Sequence, residues 1–450
     1  MPTPVDVFII GGGPAGQKIA HALAAEKYRV GIAEYRGFGG TCALRGCDPK
    51  RILVTLSEAV DGVDRLMGHG LAGEARLDWK QAKQRVQEII GPIPKRAHDS
   101  LTEAGIQVYE QRASFVDKHT LQLGNEQIRA EKIVIATGKR PAPLGIPGEA
   151  FAKTSDDFHH LDEIPERVLF VGGGYIGLEA AHICCRAGAE VIIINSDDNP
   201  LPMFETDLVD RLIETTRDMG VDFVMNAEAT AIEQHAGAYR VSVKSKDGTE
   251  KTYVADLVMN TAGRVPNLED LNLGAAGIAP TEQGIAVDDY MRIDGAAHLY
   301  AVGDIADNGA PPLTPVASLE AKALIATLQG KLTRPDYTGL PTAVYTLPEL
   351  AGVGLTEQEA REAGHEVRIT QQLDAGDQFN AKRTRARAYG YKTVVDAKTN
   401  RLLGACILGP DASEIINLFA LAIRSGMDVK FLQETPYAYP TWGSDVSGMV

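Results

Sequence analysis

No apolar run in the 450 residues approaches the roughly 18 that a membrane-crossing helix needs, and no basic-then-apolar leader precedes the first strand pattern, which begins almost at Met1. The expectation is a soluble, cytoplasmic protein with no membrane insertion. Positive charge is also short: 45 Lys plus Arg stand against 60 Asp plus Glu, a formal net charge of −15. Basic clusters are brief, such as Lys382 to Arg387, which argues against nucleic acid as a partner. Cysteine is sparse, five in all, and neither the cysteines nor His159 and His160 form a zinc spacing, so no metal is assigned. Few thiols fit a reducing compartment. Short-period repeats and low-complexity tracts are missing too. What remains is an ordinary globular composition, 44% hydrophobic, long enough for about three domains at roughly 150 residues each.

Against this background one stretch stands out. Gly39 to Lys50 reads GGTCALRGCDPK, with Cys42 and Cys47 five positions apart. A regular helix rises roughly 7.5 Å over that spacing, beyond the ~7 Å limit for bridging two Cα atoms. A disulfide therefore needs a distorted turn, for which Gly46 and Pro49 are suitably placed. The pair alone reads either as a redox centre or as two small buried cysteines.

The neighbourhood decides between these. Val7 to Gly16 reads VFIIGGGPAG, an apolar strand running into Gly11, Gly13 and Gly16 and then a helical run from Gln17 to Ala25. The first glycine allows the turn, the second lets the backbone approach a pyrophosphate, and the third lets helix pack on strand. Glu34 closes the next apolar run, where the fingerprint expects an acid on a ribose hydroxyl. The pattern recurs in VLFVGGGYIG, Val168 to Gly177, with Gly172, Gly174 and Gly177, a helix through Ala187 and a strand from Val191 to Ile194. Two Rossmann units flanking a cysteine pair point to a relay from nicotinamide through flavin to a disulfide.

Together with IATG at Ile135 to Gly138, AGRVPN at Ala262 to Asn267, AVGDIA at Ala301 to Ala306, LTPVA at Leu313 to Ala317 and YTLPELAGVGLTE at Tyr345 to Glu357, these motifs resemble, in order and over essentially the whole chain, the flavin-dependent pyridine nucleotide disulfide oxidoreductases. That is the group of glutathione reductase, dihydrolipoamide dehydrogenase and mercuric reductase. The resemblance implies an α/β fold: two Rossmann-like domains binding FAD and NAD(P), plus a C-terminal α+β dimerisation domain. It implies an FAD domain over residues 1–145, completed by 264–334, an NAD(P) domain over 146–263 and a dimerisation domain over 335–450 of a homodimer. In this last region Val344 to Tyr345 reads as strand and Ser413 to Ile423 as helix.

The roles that the resemblance implies can be carried over by position. Cys47 is the charge-transfer thiol beside the flavin, Cys42 the interchange thiol that attacks the substrate, and Lys50 pairs with Glu179 near the flavin's reactive nitrogen. Tyr175 matches an aromatic lid that nicotinamide displaces; its plainer reading is a core aromatic. Asp304 is the acid beside the ribityl chain. Cofactor binding, with one FAD per subunit, extends to Gly40, Thr41, Thr137, Gly138, Ile176, Asn195, Ser196, Gly263, Arg264 and Ala317.

Three departures accompany the matches. Where the family's disulfide reductases carry a C-terminal His and Glu that shuttle protons, this chain reads AYPTWGSD: Tyr439 takes the histidine's place, Ser444 the glutamate's, and Asp445 is one position late. A tyrosine of pKa about 10 is a poor base near neutral pH, which disfavours ordinary glutathione or lipoamide turnover. Mercury reduction is disfavoured because the chain, ending in SGMV, carries no C-terminal cysteine pair. Second, Asp48 should raise a neighbouring thiol's pKa while Arg45 should lower it. Arg45 could also select an anionic acceptor. Third, Asn195, Ser196, Asp197 and Asp198 offer no arginine for a 2′-phosphate, so NADH is expected over NADPH, although Asn and Ser can bond ribose or phosphate. Cys184, Cys185 and Cys406 read as packing.

The leading expectation is an FAD-dependent NAD(P)H oxidoreductase acting on a small disulfide with Tyr439 near the interchange thiol. The alternative is an NAD(P)H dehydrogenase reducing a quinone or other small non-disulfide acceptor. A flavin-bearing regulatory protein with vestigial catalysis is the third reading, opposed by the intact CxxxxC, Lys50 and Glu179.

Overall fold

The computed structural model describes residues 3–450. Two compact units form: one comprises the chain up to Pro49 with Arg85–Ala142 and Arg264–Tyr337, the other Lys50–Gln84 with Pro143–Gly263 and Thr338–Val450.

The first unit is built on the strand Thr3–Ile10. It pairs in parallel with Val30–Ala33 and with Glu126–Ile135, and Gln107–Tyr109 and Ala296–Ala301 extend the parallel sheet outward. Val7 and Ile9 share one core with Ile19, Leu23 and Leu324, whereas Phe8 and Ile10 join another with Phe115, Leu121 and Ile133. That alternation explains why the strand is apolar without a break: it is covered on both faces. Ile10, Ala33, Ile135 and Ala301 end their strands in register, and ligands of open α/β sheets bind beyond such ends.

Among the described residues the second unit holds three sheets, one of them the antiparallel Ala227–His235, Ala238–Ser245 and Glu250–Ala255. Asp222–Val224, Glu190–Ile194, Arg167–Val171, Leu257–Asn260 and Lys153–Thr154 form an all-parallel sheet in that order. An antiparallel sheet follows in the order Pro341–Val344, Glu349–Gly354, Leu402–Gly409, Gly390–Asp396 and Val367–Gln372, with the helix Ala412–Ser425 packed on it through Ile415, Ile416 and Phe419. The chain is thus α/β with a C-terminal α+β region, as the sequence pattern anticipates.

Local expectations need three corrections. Tyr345 is not strand: Pro341–Val344 ends before it, because the Tyr345 N–H donates to Glu179 rather than to a ladder. His159, whose segment FHHLDEIPE reads as a polar loop, is buried in the 3₁₀ turn Phe158–His160. Pro49 distorts nothing, since it occupies the first turn of Cys47–Leu66, where a missing N–H costs no helical bond. Gly46 alone breaks the helix between the cysteines, with φ −133° and ψ −101°.

Candidate active site

The first fingerprint makes a cradle at the end of its strand. Gly11 takes φ +117° to turn the chain, and a Cβ on Gly16 would lie 2.0 Å from the Gly11 carbonyl, so helix meets strand only through glycine. A Cβ on Gly40 would meet Gly13 Cα at 2.6 Å, so these two backbones face each other closely. Glu34 takes two backbone donors, Gly12 N–H at 2.9 Å and Arg36 N–H at 2.7 Å, and thereby shapes the loop itself. Thr137 Oγ1 is buried and has no hydrogen-bond partner among the described residues, beside Gly138 with open space over its Cα. Asp304 sits in the turn Gly303–Ile305, its carboxyl pushed up by burial against the pull of Arg264 and Lys139. Ala317 lies in the first turn of Thr314–Leu328.

Helix Gly40–Arg45 carries Thr41 and Cys42, and Cys47 opens the helix Cys47–Leu66. Both sulfurs are free thiols. The Cys42 thiol hydrogen-bonds Cys47, and this bond, with burial, pushes its pKa up, so Cys42 is the sulfur that keeps its proton. Thr314 Oγ1 lies 3.7 Å from Cys47 Sγ and also bonds Cys42. Thr314 stands at the N-terminus of its own helix, and both helix starts favour negative charge. Of the two charges flanking the pair, Asp48 acts on Cys42, raising it further, whereas Arg45 spends a guanidinium hydrogen on the Arg36 carbonyl at 3.0 Å. Thr314 lies in the LTPVA motif, whose pattern by itself assigns the threonine no role. Its signal was a hydroxyl at a helix N-terminus.

The second unit repeats the cradle. Gly172 has φ +108° and Gly177 packs on its carbonyl as Gly16 does on Gly11. Gly173 N–H donates to Asn195 Oδ1 at 3.0 Å, the bond that Gly12 makes to Glu34. Asn195 therefore replaces an acid with an amide in the same place. Its Nδ2 is committed to the Asp197 carbonyl at 2.8 Å, and Ser196 Oγ donates to the Asp197 carboxylate at 3.0 Å. Tyr175 and Ile176 open the helix Tyr175–Arg186, and Tyr175 is 48% exposed, which removes its reading as a core aromatic. Gly263 adopts φ +103° with open space around it.

Elsewhere in this unit Lys50 and Glu179 meet at 2.8 Å, and the same Glu179 oxygen accepts from Tyr345 N–H at 2.8 Å. The Tyr345 ring lies 4.0 Å below Lys50 Nζ. Tyr439 is 77% exposed and stacks on Phe379. Asp445 does not back it in the manner of a His and Glu pair, being held by Asn380 Nδ2 at 3.0 Å and Tyr389 Oη at 2.9 Å. Ser444 is absorbed in capping Thr441. Cys184 and Cys406 are buried, as expected of packing residues, and Cys185 is half-buried. Among the described residues, no group of three or more His, Cys, Asp or Glu could hold a metal, and no helix is long and apolar enough to cross a membrane.

The pyridine nucleotide-disulphide oxidoreductase pattern matches residues 5–321, and the dimerisation domain of the same family matches 340–449. The chain belongs to this family. As a pyridine nucleotide-disulphide oxidoreductase it is an enzyme of the class using NAD(P)H and FAD. It is 31% identical over 450 residues to a glutathione reductase from a Nostoc species, covering 97% of each chain. It is 30% identical over 451 residues to a dihydrolipoyl dehydrogenase from Haloferax volcanii, covering 98% of this chain and 94% of that one. Among solved structures it superposes on the HOCl-induced flavoprotein disulfide reductase RclA from Escherichia coli with a TM-score of 0.88 at 28% identity, covering 99% of both chains. RclA has also been solved as a Cu(II) complex. The facing Gly13 and Gly40 backbones, the buried Thr137 hydroxyl and the half-buried Asp304 fit the flavin dinucleotide that the family uses.

Proposed function

We propose that the chain is a homodimeric NADH-dependent flavoenzyme that stores electrons on Cys42 and Cys47 and passes them to a small disulfide. The observation that carries this reading is the shared hydrogen bond of the two thiols beside Thr314, in a chain with two nucleotide cradles. In this reading residues 1–145 and 264–334 hold FAD, 146–263 the nicotinamide nucleotide, and 335–450 the subunit contact. When bound, the flavin supplies hydride acceptance from nicotinamide and two-electron delivery to the cysteine pair.

The chain's own residues then have distinct tasks. Two electrons and one proton convert the Cys42–Cys47 disulfide to a Cys42 thiol bonded to a Cys47 thiolate. Cys47 takes the Cys42 proton as Cys42 attacks an acceptor disulfide, forming a mixed disulfide, and the released thiolate takes that proton from Cys47 and leaves as a thiol. Cys47 attacks the Cys42 sulfur, restoring the internal disulfide and releasing the second half of the acceptor as a thiolate. Lys50, held by Glu179, contributes a fixed positive charge. Asn195 and Ser196 have their donors committed within the loop, and Asp197 adds a negative charge, so a 2′-phosphate finds repulsion instead of partners. That supports NADH.

One finding favours a second reading. Asp445, tied to Asn380 and Tyr389, does not back Tyr439 to help protonate a leaving thiolate, a handicap that a quinone or a metal ion such as the Cu(II) seen on RclA would not meet. An anaerobic titration with NADH and NADPH separates the two. A long-wavelength band at two electrons, before the flavin bleaches, supports the dithiol store and directs the search to disulfides. Direct bleaching without that band overturns it in favour of small acceptors.

A further inference from the structure

Tyr345 to Pro348 form the tip of the hairpin that joins Pro341–Val344 to Glu349–Gly354. The tip is buried, Thr346 at 0% and Leu347 at 8% exposure. A buried loop must find partners for its backbone outside itself. Here one helix supplies those of Tyr345 and Leu347, while the Pro348 carbonyl accepts from the Thr346 hydroxyl at 2.6 Å. Glu179 accepts from Tyr345 N–H at 2.8 Å, His182 Nδ1 accepts from Leu347 N–H at 3.1 Å, and Arg186 Nη2 reaches the Leu347 carbonyl at 3.5 Å. Three, four and seven residues separate these side chains along Tyr175–Arg186, which puts them on one face.

His182 is fixed from both sides. Because Nδ1 accepts, the ring proton sits on Nε2, 3.1 Å from Thr216 Oγ1, whose hydroxyl in turn donates to the Leu212 carbonyl at 2.8 Å. Burial, reinforced by Arg186, holds the imidazole well below its ordinary pKa and hence neutral. A protonated ring would lose its acceptor and release Leu347. Arg186 is anchored in turn by Asp61 at 2.7 Å.

We propose that His182 is a positioning residue for the Lys50–Glu179 pair, acting through the hairpin tip. Tyr345 shares Glu179 Oε1 with Lys50 and presents its ring to the same ammonium. A tip that slips therefore alters both contacts of Lys50 together. The consequence for electron transfer rests on the functional reading above; the placement of Lys50 does not.

The test uses the full-length flavin-loaded protein and two readouts: the rate of Lys50 acetylation by acetic anhydride, followed by peptide mass, and the flavin absorbance spectrum. His182→Ala is expected to raise Lys50 labelling about tenfold, within the coupling of members of one hydrogen-bond network, and to shift the flavin bands. His182→Asn, whose Oδ1 can take the place of Nδ1, is expected to restore both. Lys392→Met, which opens an unrelated buried network with Glu205 and Glu357, should lower the melting temperature and move neither readout. Should His182→Ala not fold, Thr216→Val loosens the ring from behind and is expected to raise labelling in the same direction. Unchanged labelling and spectrum in a folded His182→Ala or Thr216→Val overturn the proposal. A failed nicotinamide titration would strike the functional reading alone, since labelling needs no nucleotide.

Discussion

Lys50 and Glu179 form an ion pair at 2.8 Å whose side chains are only 21% and 5% exposed. Little solvent screens it, and the Tyr345 N–H shares the carboxylate. Removing one partner strands the other. Glu179→Gln is expected to cost on the order of 3 kcal/mol, read as a fall in denaturant midpoint, and to slow flavin reduction by NADH in stopped flow. Unaltered stability and rate would show that Lys50 is held by Tyr345 alone.

Asp61 accepts from Arg65 at 2.8 Å, Arg186 at 2.7 Å and Arg387 at 2.7 Å. Burial pushes its carboxyl up, but Arg186 and Arg387 outweigh burial and hold it below the ordinary carboxylate range. The folded state therefore binds fewer protons than the unfolded chain. Its contribution is complete above about pH 4, the unfolded value, and is lost as pH falls below it. Asp61→Asn should lower the melting temperature at neutral pH and flatten the decline below about pH 4. An acid limb as steep as that of the parent protein would exclude Asp61 as its source.

Asp197 is expected to set the nucleotide preference. Asp197→Ala removes the charge proposed to repel a 2′-phosphate and frees the Ser196 hydroxyl, so the ratio of kcat/KM for NADH over NADPH should drop about tenfold, equivalent to ~1.4 kcal/mol. Steady-state kinetics with both nucleotides decide this, and an unchanged ratio would place the selecting group elsewhere.

Tyr439→His restores the imidazole that disulfide reductases use, but not the acid behind it, because Asp445 stays with Asn380 and Tyr389. General acid–base catalysis by an oriented group contributes typically 10² to 10⁴-fold, so the gain in disulfide turnover from this change alone should stay below about tenfold. A larger gain would mean that the histidine needs no carboxylate partner here.

Both cradles were legible in sequence because their chemistry is local. Gly16 and Gly177 each pack on a carbonyl five residues earlier, those of Gly11 and Gly172, and the three glycines recur at one spacing. The break at Gly46 was legible for the same reason. Tyr345 was misread as strand because its partner, Glu179, lies 166 positions away. His182 drew no attention beside Cys184 and Cys185, since nothing in EAAHICCRAG announces a hairpin tip folded against it.

From sequence alone came the family, the two glycine fingerprints and the spacing of the cysteine pair, because each is a pattern of residue types along the chain. The tertiary structure decided which of those residues keep free chemistry. It committed Asn195 and Ser196 to their own loop, turned Asp445 from Tyr439 toward Tyr389, and set Thr314 beside the thiols. A side chain's availability depends on which donors and acceptors reach it first, and for Asp445 and Thr314 these lie 56 and 267 positions away along the chain.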